Sequence, residues 1–329
     1  MFPMMSIQHK KPWIPNKPVS HGASAYHDAV VNADYYIEVL KEYIKIARDN
    51  IQENDLVIEF GAGTGVSAYH LLKNIKINFK LWLVDNSAAW LGKAYDLFKD
   101  NPNVQCYLLE KIQERYAKLS ETIGEGIADK VFSANTVHLI PNIDEVFRGI
   151  NEAMKPGGIF AFQSGNIDRI DRENGILMVD DTIARVHDIA IDLVKKDDRF
   201  ASYRNSIEKR VSEEAAQRKF VFPTPRPVDY YIKRLKESGF NLISTQYKQI
   251  KFKYEEWMDF LRVKRLQAGI LPEIGGKDPT PAEEKDRDML IQLAAKKLFQ
   301  ELATTNPKAD NHGFLVECVY VIAQKEYHG

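Results

Sequence analysis

The sequence predicts an α/β fold, a mostly parallel sheet with helices on both faces and helical insertions. Three observations point that way. Short apolar runs at residues 56–58, 79–84, 104–109, 129–134 and 159–162 have the length of buried strands. Amphipathic helical patterns lie between them. The first run passes through a glycine loop straight into a helix, a geometry that lets backbone approach a ligand closely.

Composition bounds the possibilities. A chain of 329 residues with 44% apolar content supports one large or two small domains around a full core. No stretch is long and apolar enough to span a bilayer. Residues 1–11 hold no apolar segment of signal-peptide length before His9-Lys10-Lys11. Cys106 and Cys318 fall inside predicted strands, so two buried thiols in a reducing, cytoplasmic compartment are expected rather than a disulfide framework. The eight histidines are scattered and no metal site is expected. A net charge of −1 argues against a sequence-wide grip on nucleic acid.

Taken in order, residues 1–21, with Pro12, Pro15 and Pro18, read as an extended arm. Residues 23–48 read as helix, with Tyr36, Val39, Leu40, Tyr43, Ile44 and Ala47 at three- and four-residue steps. The strand at 56–58 ends at Glu59, followed by Gly61, Gly63 and Gly65 and a helix from Val66 to Leu72. A dinucleotide fingerprint would need a third glycine where Val66 stands. Glu59 would also repel a pyrophosphate at that point. A ligand with a positive centre and no phosphate suits the loop better.

Glu59-Phe60-Gly61-Ala62-Gly63-Thr64-Gly65 resembles the E-x-G-x-G-x-G signature of the class I (Rossmann-like) S-adenosylmethionine-dependent methyltransferases. The resemblance implies a seven-stranded sheet. It also implies that Glu59 and the loop hold the methionine part of the cofactor. The strand at 79–84 ends at Asp85, which the resemblance assigns to the ribose hydroxyls, with Asn86 beside it. Ser87 reads as a helix N-cap. Glu110 and Ile112, after the third strand, correspond to the residues that bracket adenine. Asn135-Thr136-Val137-His138 closes the fourth strand beside the reacting methyl group, with Asn135 on the cofactor side and His138 placed as general base. Base-amine methyltransferases of nucleic acids have an Asn/Asp-Pro-Pro-aromatic pattern here, which this chain lacks. Family members often close an N-terminal helix over the site, so Tyr26 and His27 are expected near the substrate, as are Tyr35 and Tyr36.

Residues 143–154 read as helix, with Lys155-Pro156-Gly157-Gly158 ending it before the fifth strand. Two insertions then depart from the family pattern. Residues 164–224 carry helical patterns near 175–195 and 204–219 and read as a lid, with Arg169, Arg172, Arg199 and Arg204 as candidates to grip an acidic substrate. Asp181 and His187 are weaker catalytic candidates. Residues 225–250 return to the core with a helix over 228–238 and a strand over 240–247. Residues 251–310 form the second insertion, in which Trp257 and Phe260 begin a helix and residues 282–303 form another. The strand at 314–323, apolar on both faces, completes the core as an antiparallel strand between the fifth and sixth.

The domain reading is an arm and cap helices at 1–50, a core at 51–163, 225–250 and 311–329, and insertions at 164–224 and 251–310. The implied activity is methyl transfer to an O, N, S or C atom of a small molecule, without nucleic-acid or membrane partners. A nicotinamide-dependent oxidoreductase and a non-catalytic cofactor-binding protein of the same fold are the alternatives.

Overall fold

The computed structural model describes residues 11–327. Its central sheet has strands β1 (Leu56–Phe60), β2 (Lys80–Asp85), β3 (Val104–Leu108), β4 (Ala128–Ala134), β5 (Met154–Ser164), β6 (Phe240–Lys253) and β7 (Gly313–Lys325). Across the sheet they run β6-β7-β5-β4-β1-β2-β3. The first five are parallel, and β7 is antiparallel to both neighbours. The expected Rossmann-like architecture is therefore present, including the last strand between the fifth and sixth. Strand order reverses between β1 and β4, and the crevice outside their carboxyl ends is where open α/β sheets bind ligands.

Helices α1 (His21–Val30), α2 (Asp34–Asn50), α3 (Val66–Asn74), α4 (Ala88–Phe98), α5 (Leu119–Ile123) and α6 (Ile143–Ala153) come first. They are followed by α7 (Val179–Lys196), α8 (Arg204–Glu213), α9 (Ala215–Val221), α10 (Val228–Glu237), α11 (Tyr254–Leu261), α12 (Lys264–Ile270) and α13 (Pro281–Thr305). The alternation of side chains along the strands makes two cores. Val57, Leu81, Phe132 and Ala161 pack under α2, α3 and α4, while Ile58, Val84, Val131 and Phe160 pack under α5, α6 and α10. All six apolar positions read from the α2 pattern are buried. Leu40 is fully enclosed, and its truncation to Ala would cost about 3 kcal/mol.

Several boundaries differ from the sequence reading. The helix expected over 23–48 is two, because α1 ends on the Val31 N–H to His27 carbonyl bond and Ala33 is extended. Within the proline-rich arm, the Trp13 N–H donates to the Cys106 carbonyl at 2.7 Å, which ties that stretch to β3. The part of the arm before residue 11, with the signal-peptide reading, lies outside the described residues. Lys155 to Gly158 form the start of β5 rather than a turn before it. Strand β6 extends past residue 247 to Lys253 because β7 pairs with it as far as Gly313, so the second insertion begins at Tyr254.

The two insertions pack on each other. Helix α7 lies along α13, and α9 against α12. Arg185 places a two-pronged hydrogen bond on Glu301, both contacts at 3.0 Å. His187 Nε2 sits 3.1 Å from the buried Glu273 carboxylate, with Arg218 against both. No helix of the described residues is long and apolar enough to cross a membrane.

Candidate active site

The loop after β1 makes three left-handed steps in a row, with φ of 72° at Gly61, 55° at Gly63 and 79° at Gly65. A Cβ on Gly61 would lie 2.2 Å from Thr136 Cγ2, and one on Gly65 would press on Phe98 and Ala94. Packing within the protein therefore demands two of the glycines, while Gly63 faces the Trp90 ring with ordinary room. Glu59 is buried below the loop. Its Oε1 accepts from the Ser67 hydroxyl; the Tyr43 hydroxyl faces the carboxylate but closes no hydrogen bond to Oε2, which has no partner among the described residues. Burial pushes its pKa up to about 8, an effect partly offset by the Ser67 and Tyr43 hydroxyls. A cationic group brought to the free oxygen would restore the carboxylate. The methionine ammonium of S-adenosylmethionine meets that requirement.

Asp85 ends β2 with its carboxylate folded toward the loop. Oδ2 accepts the Gly63 N–H at 2.8 Å and Oδ1 accepts the Ser87 N–H at 2.7 Å. Burial raises its pKa, opposed by these two backbone donors and by Arg265. A carboxylate has further lone pairs, so a pair of hydroxyls can still be received there. Ser87 stands at the N-cap of α4 as expected, but its side chain makes no capping bond and only its N–H acts. Asn86 is exposed beside Asp85. Glu110 and Ile112 are exposed at the end of β3, where residues 111–112 pair with residues 115–116 in a small ribbon.

Helix α1 crosses the glycine loop. His27 is buried with Nδ1 3.4 Å from the Thr64 hydroxyl, and burial together with Lys93 lowers its pKa. Tyr26 packs on Trp90 at 4.5 Å between ring centroids and on Phe260 of α11 at 6.4 Å. Arg265 of α12 lies 4.5 Å over the Trp90 ring. Tyr26 and His27 thus sit with the cofactor loop. Trp90 and Arg265 escaped the sequence reading, since nothing local distinguishes them from a packing aromatic and a solvated arginine.

At the neighbouring carboxyl ends, Asn135 has a φ of 50°, a conformation that Asn tolerates better than most residues. Its N–H donates to the Gln163 carbonyl at 2.9 Å. Thr136 Oγ1 lies 3.1 Å from the Gly61 carbonyl, closing the crevice between β1 and β4. His138 has a different setting from that of the expected general base. The Ser164 hydroxyl accepts the Asn166 N–H, and the same oxygen lies 2.9 Å from His138 Nδ1 in a second hydrogen bond. Burial and then the Arg226 charge push the His138 pKa down to about 3. The ring is neutral with Nδ1 already engaged.

The four candidate arginines of the first insertion are all paired within the protein. Arg169 meets Glu317 at 3.0 Å and stacks on Tyr247, and Arg172 lies between Asp168 and Asp181. Arg199 is held by Asp197, and Arg204 by Asp198. They are structural ion pairs, and the acidic-substrate reading loses its cations. Asp181 accepts the Met178 N–H at the start of α7, and His187 belongs to the buried contact between the insertions.

Residues 58–160 match the family profile of a methyltransferase domain. A segment of the highly reducing polyketide synthase ctvA of Aspergillus terreus is 26% identical over 116 residues, 35% of this chain and 5% of that protein. The trichosetin synthetase PKS-NRPS1 of Gibberella fujikuroi is 25% identical over 137 residues, 40% of this chain and 3% of that protein. The chain thus spans a small part of the curated relatives it matches. Among solved structures, phosphoethanolamine N-methyltransferase 2 of Haemonchus contortus in complex with S-adenosyl-L-methionine superposes with a TM-score of 0.50. That match has 16% identity and covers 93% of this chain and 57% of that one. Residues 58–160 thus carry a methyltransferase domain by the profile, and the sheet order, the glycine loop and the acids at Glu59 and Asp85 accord with the class I, Rossmann-like S-adenosylmethionine-dependent form of that fold.

Proposed function

We propose that the chain transfers the methyl group of S-adenosylmethionine to an O, N, S or C atom of a small molecule held beneath the helical insertions. The observation that carries this reading is Glu59, buried with one carboxylate oxygen unpartnered directly below a loop of three left-handed glycines. When bound, the cofactor supplies an electrophilic methyl group on a sulfonium. Glu59, Gly61, Gly63 and Gly65 hold its methionine part, Asp85 and Asn86 its ribose, and Glu110 and Ile112 its adenine end. Asn135 borders it at the switch between β1 and β4. Tyr26 and His27 close the loop from above, which excludes water and aligns the acceptor. His138, neutral and bonded to Ser164, orients groups near the acceptor and does not store a proton.

A small acceptor is favoured by the helices α1, α11 and α12, which roof the carboxyl ends of the strands. The net charge of −1 disfavours nucleic acid. The curated relatives carry polyketide synthase names, which accords with a small organic acceptor. The buried, unpaired Cys106 and Cys318 accord with a reducing compartment such as the cytoplasm.

The test is calorimetric titration with S-adenosylmethionine, S-adenosylhomocysteine and NAD, followed by transfer of labelled methyl to a panel of small acceptors. Binding of the first two and transfer to an acceptor supports the proposal. Binding of NAD alone would return the oxidoreductase reading, and cofactor binding without transfer to any acceptor would favour a non-catalytic role.

A further inference from the structure

Gln163 is fully buried at the carboxyl end of β5, and neither end of its amide has a nitrogen or oxygen hydrogen-bond partner among the described residues. Burying an amide unpaired at both ends opposes folding, and such exceptions concentrate at functional sites. Alternation along β5 puts Gln163 on the α2 side of the sheet, the side of Glu59. Ala134 of β4 and Tyr320 of β7 flank it in register. The Tyr320 hydroxyl is already committed to the Val39 carbonyl at 2.7 Å. Beside the amide lies the Cys318 thiol, a weak hydrogen-bonding group.

A chain of aromatic contacts, an aromatic wall, runs to the glycine loop from Asn135, whose N–H donates to the Gln163 carbonyl. Tyr36, which faces Asn135, meets Tyr35 at 6.2 Å between centroids, and Tyr35 meets Trp257 at 5.8 Å. Trp257 stacks on Phe260 at 4.6 Å with ring planes 12° apart. Phe260 leads to Tyr26 and then to Trp90 beside Gly63. The Tyr35 hydroxyl and Trp257 Nε1 on this wall also lack partners among the described residues.

We propose that the Gln163 amide is a specificity-determining group for the methyl acceptor. It binds a neutral function that both donates and accepts a hydrogen bond, a hydroxyl or a carboxamide, on a molecule with a flat apolar body that packs along the aromatic wall. The class follows from what each candidate leaves unpaired. A carboxylate satisfies Nε2 and strands Oε1, an ammonium satisfies Oε1 and strands Nε2, and a hydroxyl or carboxamide satisfies both. The assignment rests on the methyltransferase reading of the same site.

The test compares the full chain with Gln163→Met, which keeps the volume and removes both polar ends. It uses S-adenosylmethionine and the acceptor probes phenol, benzyl alcohol, benzamide, benzoate and benzylamine. The ligand-free variant is expected to melt at a higher temperature than the parent and to bind S-adenosylmethionine equally well. KM for the hydroxyl and carboxamide probes should rise about tenfold or more, the scale on which sites discriminate against a missing hydrogen bond, with kcat little changed. A lower melting temperature, or equal losses for all acceptors through kcat, overturns the proposal. If no probe is methylated, the melting temperature decides alone, a rise supporting the assignment and a fall refuting it. If Gln163→Met fails to fold, Gln163→Glu must shift preference from benzamide toward benzylamine, and unchanged preference refutes the assignment. Failure of the parent to bind S-adenosylmethionine instead removes the methyltransferase reading itself.

Discussion

The carboxyl ends of β1 and β2 and those of β4 and β5 are the same kind of place, the rim of a parallel sheet, yet they are built in different ways. At the first, nearly every important atom comes from residues 59–67 and 85–87, close in sequence and joined by short backbone bonds. At the second, Asn135, Gln163, Tyr36 and Trp257 come from four distant segments and meet only in the folded chain. The first end is defined by backbone conformation and tolerates little change. The second, the proposed acceptor end, is defined by packing between distant segments.

The sharpest way to break this contrast is Gly61→Ala. Its Cβ meets Thr136 at 2.2 Å in a left-handed backbone, so a loss of about 3 kcal/mol in chemical denaturation is expected. A loss below about 1 kcal/mol would mean that the loop is not rigid.

Asp85→Ala comes next. It removes the acceptor of the Gly63 and Ser87 N–H groups and the proposed ribose contact. S-adenosylmethionine affinity should fall about thirtyfold to a hundredfold, about 2–3 kcal/mol, by calorimetry.

The third test uses pH. Glu59 has a folded-state pKa of about 8 against an ordinary value of 4.5, so the ligand-free protein keeps a proton that the unfolded chain gives up. Its contribution to stability is complete below about pH 4.5 and is lost as pH rises through about 8. Melting temperature should therefore decline across that window in the parent, with a shallower slope in Glu59→Gln. Because the cofactor's cation selects the carboxylate, binding should tighten toward pH 8 and release a proton. Calorimetry in buffers of different ionisation enthalpy reads that proton directly.

Smaller effects are expected at the acceptor end and on the surface. With its pKa near 3 and Nδ1 engaged by Ser164, His138 should not shape the pH–rate profile near neutrality. His138→Gln should lower kcat less than about tenfold, and loss of an inflection near pH 6.5 would restore the general-base role. Arg199→Ala, which breaks an exposed pair with Asp197, should leave melting temperature and turnover unchanged.

Much of the fold was legible before any coordinates. Strand runs, helix patterns and the Lys155 to Gly158 landmark located all seven strands, with errors at ends such as that of β6, where pairing with β7 continues the strand to Lys253 beyond its apolar pattern. The cofactor end was legible because its chemistry is local, with glycine where φ is positive and an acid at a strand end. The acceptor end was not. Tyr26 and His27 were read as substrate neighbours, and only the path of α1 places them over the glycine loop. The insertion arginines were read as candidate anion receptors until the structure paired each with a carboxylate.

The sequence by itself determined the architecture and the proposed cofactor end, because periodicity, glycine conformation and charge act over a few residues. Tertiary structure alone decided the surroundings of Asn135, His138 and Gln163. Whether Gln163 finds a partner, whether His138 can take a proton and which aromatics form a wall depend on burial and on contacts between segments far apart in sequence (Tyr35 and Trp257, for example).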